Sequence, residues 1–198
     1  MYLTDEAIVI SAKTLIKQKQ TIRSLTRKNG RLSLILYPSV SRKYGTSFLT
    51  PLSHIELTYS QVGTQMPIIK EYSILHVLKN TLEDMRRRCI TVFISEVIEK
   101  TISYPQPDDR LFDFLLSYIN RIETEVHIAY IPIWFMIDLS EIMGFSYKHQ
   151  NIIKHADLHR LPRFERQQCL RELCQYFILE IDYFTMPKSL PIIEQLFD

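Results

Sequence analysis

A chain of 198 residues and 23.5 kDa, 46% apolar and 23% charged, has the makings of one large domain or two small ones with hydrophobic cores, which excludes a disordered polymer. Only 4 glycines stand against 11 tyrosines and 10 phenylalanines, and no Walker loop, GxGxxG, GxSxG or HExxH occurs, so phosphate-cradle, hydrolase-elbow and zinc-protease chemistry lack their residues. The net charge of +2 conceals a division: residues 1–88 hold 14 basic against 6 acidic side chains, and residues 89–198 hold 10 against 16.

From Ala7 to Leu75 the chain consists of short β-branched and aromatic runs separated by turn-forming stretches. Five strands are expected: Ala7 to Ala12, Thr21 to Thr26, Arg31 to Tyr37, Leu52 to Tyr59 and Ile68 to Leu75. Strand three places Leu32, Leu34 and Leu36 on one face; strand four does the same with Ile55, Leu57 and Tyr59. Between strands two and three, Asn29-Gly30 is the pair that a type I′ turn demands, with positive φ at both residues. Strand two alternates poorly, since Ile22 and Leu25 fall on opposite faces, and a bulge is expected there.

Beyond Leu75 the period becomes helical. Ile90, Phe93, Ile94, Val97, Ile98 and Ile102 form one stripe that must stop before Pro105. A second helix is capped by Asp108 or Asp109 and carries Leu111, Leu115, Tyr118, Ile119 and Ile122. A third runs from Glu125 to Met143, kinked or broken at Pro132 and ended by Gly144. The fourth begins near Pro162, carries Leu170, Leu173, Cys174, Phe177, Ile178, Ile181 and Phe184, and ends at Pro187. Ser189 caps a short last helix. The fold class is therefore α+β: a five-stranded OB-type β-barrel at residues 1–78, then an α-helical domain at residues 79–198.

Eight basic residues recur in three barrel loops, with no acidic residue between Glu6 and Glu56. Lys13, Lys17 and Lys19 belong to the first hairpin, Arg27, Lys28 and Arg31 to the second turn, and Arg42 and Lys43 lie beside Tyr44 in the long loop before strand four. Such loops neutralise phosphates, while Tyr37 and Tyr44 offer ring faces for bases. The competing explanation is that lysines solvate loops and protect sheet edges. Arg86, Arg87 and Arg88, next to Glu83 and Asp84, read as a solvated helix face that could extend such a path. Tyr130, Trp134 and Phe135, with Phe145 and Tyr147 beyond them, read as core, or as a groove for an aromatic peptide anchor.

At this point the segments AIVIS from Ala7, TIRSLTRKNGRLSLILY from Thr21 and SRKYGTSFLTPLSHIELTY from Ser41 resemble the N-terminal barrel of the bacterial RecO family of recombination mediators. FISEVIEKTI from Phe93, DDRLFDFLLSYI from Asp108, LSEIMGF from Leu139 and SLPIIEQLF from Ser189 resemble the helical domain of its Bacteroides-type members. The resemblance implies a non-enzymatic protein that binds single- and double-stranded DNA and anneals complementary strands. It also implies binding of RecR and of the acidic C-terminal tail of single-stranded DNA-binding protein, and help in loading RecA. Arg27, Lys28, Arg31, Arg42 and Lys43 stand where the family has basic barrel loops. The chain departs from the pattern at Lys17, Gln18 and Lys19, where many relatives have Gly-Glu, and at Pro38 and Ser39, where they have a glycine.

Many relatives also carry a four-cysteine zinc site. Cys89, Cys169 and Cys174 cannot supply one, so a zinc-free variant without cofactors is implied. His155 and His159 are spaced i, i+4 with His149 nearby, yet no glutamate completes a metal motif, and solvated histidines are the simpler reading. The acidic N-terminus is unlike a signal peptide and no apolar run reaches a membrane span, so a cytoplasmic, nucleoid-associated protein is expected. The alternatives are an OB-fold adaptor for RNA or protein, and a small metal-dependent nuclease or hydrolase, against which the missing carboxylate cluster counts.

Overall fold

Alternation decides which side chains of the first 78 residues turn inward: Leu34, Leu36, Ile55 and Leu57 have no exposed surface, and Tyr59 is 1% exposed. The computed structural model describes residues 2–15, 19–40, 49–61, 63–102, 106–147 and 161–196. Its strands are β1 (Tyr2–Thr14), β2 (Gln20–Thr26), β3 (Gly30–Leu36), β4 (His54–Ser60) and β5 (Ile68–His76). They close a barrel in the order β1-β2-β3-β5-β4, with β4 returning to β1. The parallel β3–β5 closure is a single pairing of Ile35 with Ile68, where the Ile35 N–H donates to the Pro67 carbonyl at 2.8 Å. Ala7, Val9, Ile22, Leu34, Leu36, Ile55, Leu57, Tyr59, Ile69 and Tyr72 fill the interior. The expected OB-type barrel followed by helices is the observed architecture.

The differences lie where pairing overrides local pattern. β1 is thirteen residues long instead of six, because Tyr2–Ile8 pairs with β4 while Ala7–Thr14 pairs with β2. The bulge is in β1, not β2: Val9 faces Ser24 and Ser11 faces Arg23, leaving Ile10 as the extra residue. β2 itself is regular, with Ile22 in the barrel core and Leu25 buried on the other face.

The β2–β3 turn is not type I′. It has three residues, Arg27 to Asn29, between the paired Thr26 and Gly30, and only Gly30 takes positive φ, at +64°. The cause is tertiary: buried Asp5 accepts hydrogen bonds from the Lys28 N–H at 3.2 Å and from Asn29 Nδ2 at 2.9 Å, while the Asn29 N–H donates to Thr26 Oγ1. β4 begins at His54 instead of Leu52, because Thr50 to Ser53 form a tight turn with Leu52 at φ +64°. Leu52 tolerates this left-handed backbone, a cost of roughly 1 kcal/mol. Its side chain is 1% exposed and its N–H donates to the Val9 carbonyl at 2.8 Å.

The chain divides into two compact units, residues 1–78 with 102–116, and residues 79–101 with 117–198. The helices are α1 (Lys79–Glu83), α2 (Met85–Thr101), α3 (Asp109–Thr124), α4 (Ile131–Ile142), α5 (Arg163–Glu180) and α6 (Leu190–Leu196). Asp108 caps α3, its Oδ1 accepting from the Leu111 N–H at 3.0 Å. Pro132 opens α4 after a 3-10 turn at Ile128–Tyr130, where its missing N–H costs nothing, so the helix does not kink. Gly144, at φ +85°, follows its end. α5 stops at Glu180 instead of Pro187: Ile181 is extended, yet Phe184 still reaches the core and packs on Phe177 at 5.4 Å. α1, which no sequence signal announces, begins at the buried Glu123, whose carboxylate accepts from the N–H groups of Asn80 and Thr81 at 2.9 and 2.8 Å.

The start of α6 uses the same device. Glu96 of α2 accepts from the Lys188 N–H at 2.7 Å, the Ser189 N–H at 3.0 Å and Ser189 Oγ at 2.7 Å. Ser189 holds the expected cap position, its carbonyl accepting from the Ile193 N–H at 3.1 Å, while its hydroxyl donates to a carboxylate supplied from α2. Glu96→Ala is expected to lower stability by about 1–2 kcal/mol, the size of a lost helix cap, read as a drop in the urea midpoint with unchanged m-value.

Candidate nucleic-acid interface

The basic residues expected in the barrel loops fall at two ends of β2, a strand of seven residues and therefore roughly 20 Å long. At its first end, Lys13 is exposed and pairs with Thr21, and Lys19 holds its Nζ 4.8 Å from the centre of the Tyr37 ring. The register makes this neighbourhood: Gln20 lies opposite Leu36, so the residues just outside each strand, Lys19 and Tyr37, meet. Lys17, Arg42, Lys43 and Tyr44 lie outside the described residues.

At the other end the positive charge is spent on the fold. Arg27 Nε donates to Glu6 Oε2 at 2.8 Å, its NH1 lies 2.9 Å from Asp113 and 3.6 Å from Asp109, and the guanidinium sits 4.2 Å above the Phe112 ring. Glu6 Oε1 is also 2.6 Å from His54 Nε2. Burial opposes ionisation of Glu6, but the hydrogen bonds from Arg27 and His54 outweigh it and hold the carboxyl below its usual range. Arg27 is likewise pushed up, against burial, by Glu6 and Asp113. The Arg31 guanidinium donates to the Ile102 carbonyl, and Lys28 Nζ donates to the Thr4 carbonyl at 3.1 Å. Four carboxylates, those of Asp5, Glu6, Asp109 and Asp113, thus stand with three basic side chains at this end.

One basic residue of the barrel face escaped the sequence reading. Arg23 lies midway along β2, opposite Ser11 of β1 and Ser33 of β3, on the outer face. The alternation of Thr21, Arg23 and Leu25 carried the signal, but the bulge sought in β2 masked it.

In the helical unit, the Arg86 side chain pairs with Asp84 at 3.2 Å. Arg87 donates to the carbonyls of Ile122 and Glu125, the latter at 2.9 Å, and so closes the C-terminal end of α3; Arg88 is exposed. Tyr130, Trp134 and Phe135 are core residues at 7, 1 and 0% exposure. Beside them a cleft is lined by Ala129, Ile133, Leu170 and Ile193 together with Arg163, Arg166, Gln167 and Glu194. Burial pushes the thiols of Cys169 and Cys174 up, to about 11 and about 12, so neither is a ready nucleophile. Among the described residues no group of three or more His, Cys, Asp and Glu side chains is placed to hold a metal, and His149, His155 and His159 lie outside them. No described helix is long and apolar enough to cross a membrane.

Residues 82–152 match the family described as "Recombination protein O C terminal". Over its whole length the chain is 21% identical to "DNA repair protein RecO" of Flavobacterium psychrophilum and 23% identical to the protein of that name in Porphyromonas gingivalis, each relative being covered completely. It is 24% identical to "DNA repair protein RecO" of Azobacteroides pseudotrichonymphae, over 89% of this chain and 91% of the relative.

Proposed function

We propose, from the premise that the chain belongs to the RecO family of DNA repair proteins, that it is a recombination mediator without catalytic residues of its own. The observation that carries this reading is the end-to-end similarity to RecO proteins, joined to a closed five-stranded barrel with a basic, tyrosine-bearing end. Residues 1–78 bind single- and double-stranded DNA, with Lys13, Lys19 and Tyr37 among the contacts. Annealing follows from electrostatics: cationic side chains that offset phosphate repulsion between two strands leave the bases free to pair. No bond is made or broken.

Residues 79–198 bind the protein partners, RecR and the tail of single-stranded DNA-binding protein, and with RecR the protein helps load RecA onto coated DNA in the cytoplasm, at the nucleoid. The cleft lined by Arg163 and Arg166 suits an acidic tail ending in an apolar residue, since four apolar side chains line it and the two arginines outnumber Glu194. Charge reversal at both arginines is expected to abolish capture of the tail peptide and to spare DNA binding.

Fluorescence anisotropy with labelled oligonucleotides tests the core of the reading. Binding is expected to be indifferent to sequence and to weaken steeply between 50 and 200 mM salt; a strand-annealing assay and pull-downs with RecR and single-stranded DNA-binding protein complete it. Tight binding to RNA with none to DNA would favour the adaptor alternative.

A further inference from the structure

Residues four apart on a helix lie one above another on the same face, and α5 in this way puts three donors in a row, Arg163, Gln167 and Arg171. All three reach one residue of α6. Arg171 donates to both carboxylate oxygens of Glu194, from Nε at 2.5 Å and from NH2 at 2.7 Å. Gln167 Nε2 donates to the Glu194 carbonyl at 2.7 Å, and Arg163 NH2 to the same oxygen at 3.5 Å. Glu194 is a lining residue of the cleft, and its side chain is only 10% exposed. At the other end of α6, Glu96 holds the N–H groups of Lys188 and Ser189, so the short helix is tied down on both sides. The Arg171 side chain is 59% exposed, so a ligand reaches it without opening the core.

We propose that Glu194 is a resident carboxylate which a bound acidic peptide displaces from Arg171, and that this exchange holds down the affinity of the cleft for acidic peptides. This rests on the assignment of the cleft to an acidic tail and adds the residue that sets its charge specificity. A step of four residues rises about 6 Å along α5. Alternate side chains of an extended peptide project to one side roughly 6.6 Å apart. An extended peptide with acidic residues at alternate positions therefore matches the row, its carboxylates meeting Arg163, Gln167 and Arg171 in turn. Its apolar end then lies against the apolar residues of the cleft, among them Ile133, Leu170 and Ile193. At Arg171 one charge-assisted pair is broken for each one made, so the exchange gains little. The displaced Glu194 also leaves a negative charge beside an acidic ligand, an element built against the ligand it admits. A neutral peptide has no carboxylate to exchange and is indifferent to Glu194.

Fluorescence anisotropy of the full chain with two labelled heptapeptides decides the matter. One carries aspartate at alternate positions and ends in leucine and phenylalanine; its twin has asparagine in place of each aspartate. Glu194→Gln is expected to tighten binding of the acidic peptide about threefold to tenfold and to leave the twin within about twofold of the wild type. Arg171→Gln should weaken binding of the acidic peptide alone, because Glu194 then stands in the site without its neutralising partner. The double variant Arg171→Gln/Glu194→Gln should lose the gain of Glu194→Gln, since the freed arginine is its source. Melting curves check that each variant is folded, and a pair with so exposed an arginine should cost little on removal. Should Glu194→Gln not fold, Arg171→Gln carries the test by itself: selective weakening of the acidic peptide supports the exchange, and wild-type binding of both peptides overturns it. Wild-type affinity of folded Glu194→Gln for the acidic peptide overturns the role of Glu194 and leaves the tail assignment standing, as does equal tightening of both peptides or a double variant that keeps the gain. Failure of both the wild type and Glu194→Gln to bind the acidic peptide overturns the assignment of the cleft itself.

Discussion

Trp134→Ala is expected to destabilise the helical unit by about 3–5 kcal/mol, the range for emptying a fully buried large aromatic site. Trp134 sits on α4 at 1% exposure, stacked on Tyr130 at 5.7 Å and covered on its ring by the Arg121 guanidinium at 3.8 Å. Alanine removes the ring volume, the aromatic stack and the cation–π contact together, and the arginine at the edge cannot collapse into an apolar void. At about 2–4 °C per kcal/mol for a chain of this size, the melting transition should fall by roughly 6–20 °C. Trp134→Phe keeps most of the ring contacts and should fall by less than half as much. The chain has 1 tryptophan, so its emission reports on this core alone in the wild type. Circular dichroism serves for the variants, and an unshifted transition in Trp134→Ala would mean that the ring is not part of the core.

Arg27→Ala comes next, at about 2–3 kcal/mol. Its side chain is 29% exposed and meets Glu6 and Asp113 at 2.8 and 2.9 Å, so alanine strips two carboxylates of a charge-assisted partner and uncovers the Phe112 ring. The pH dependence separates this from simple loss of packing. Glu6 has its carboxyl held below the ordinary value of 4.5, so its contribution is fully present above that pH and is lost as the pH falls through the depressed value. Wild-type stability should therefore drop on acidification below about pH 4.5. Without Arg27, only His54 remains to depress Glu6, and the drop should be shallower. Urea midpoints between pH 3 and 7 read the difference, and parallel acid limbs for the two proteins would count against the Arg27–Glu6 pair as its source.

Much of the architecture was legible because one-dimensional pattern is enough to mark a buried face. The alternation of Leu32, Leu34 and Leu36, and of Ile55, Leu57 and Tyr59, specified two barrel strands, and the stripe from Ile90 to Ile98 specified α2. The resemblance to RecO proteins was legible for the same reason, since it rests on hydrophobic patterns in a fixed order. Asp108 as a cap and Gly144 as a helix end rest on local backbone chemistry, which acts within a turn of the residue concerned.

What the sequence did not contain are contacts between residues far apart in the chain. The β2–β3 turn took its shape from Asp5, more than twenty residues away, against the local preference of Asn29-Gly30. The ends of α1 and α6 are satisfied by Glu123 and Glu96, which no capping pattern near those helices announces. The candidate interface follows the same rule: charge counting treated Lys13, Lys19, Arg27 and Arg31 alike, because a tally of basic residues carries no partners. Composition by itself determined that the first part of this chain is basic, and periodicity that it is a barrel of strands followed by helices. Only the tertiary structure decided that Arg27 is held by Glu6 and Asp113 and Arg31 by the Ile102 carbonyl, since these partners reach them only after the chain has closed on itself.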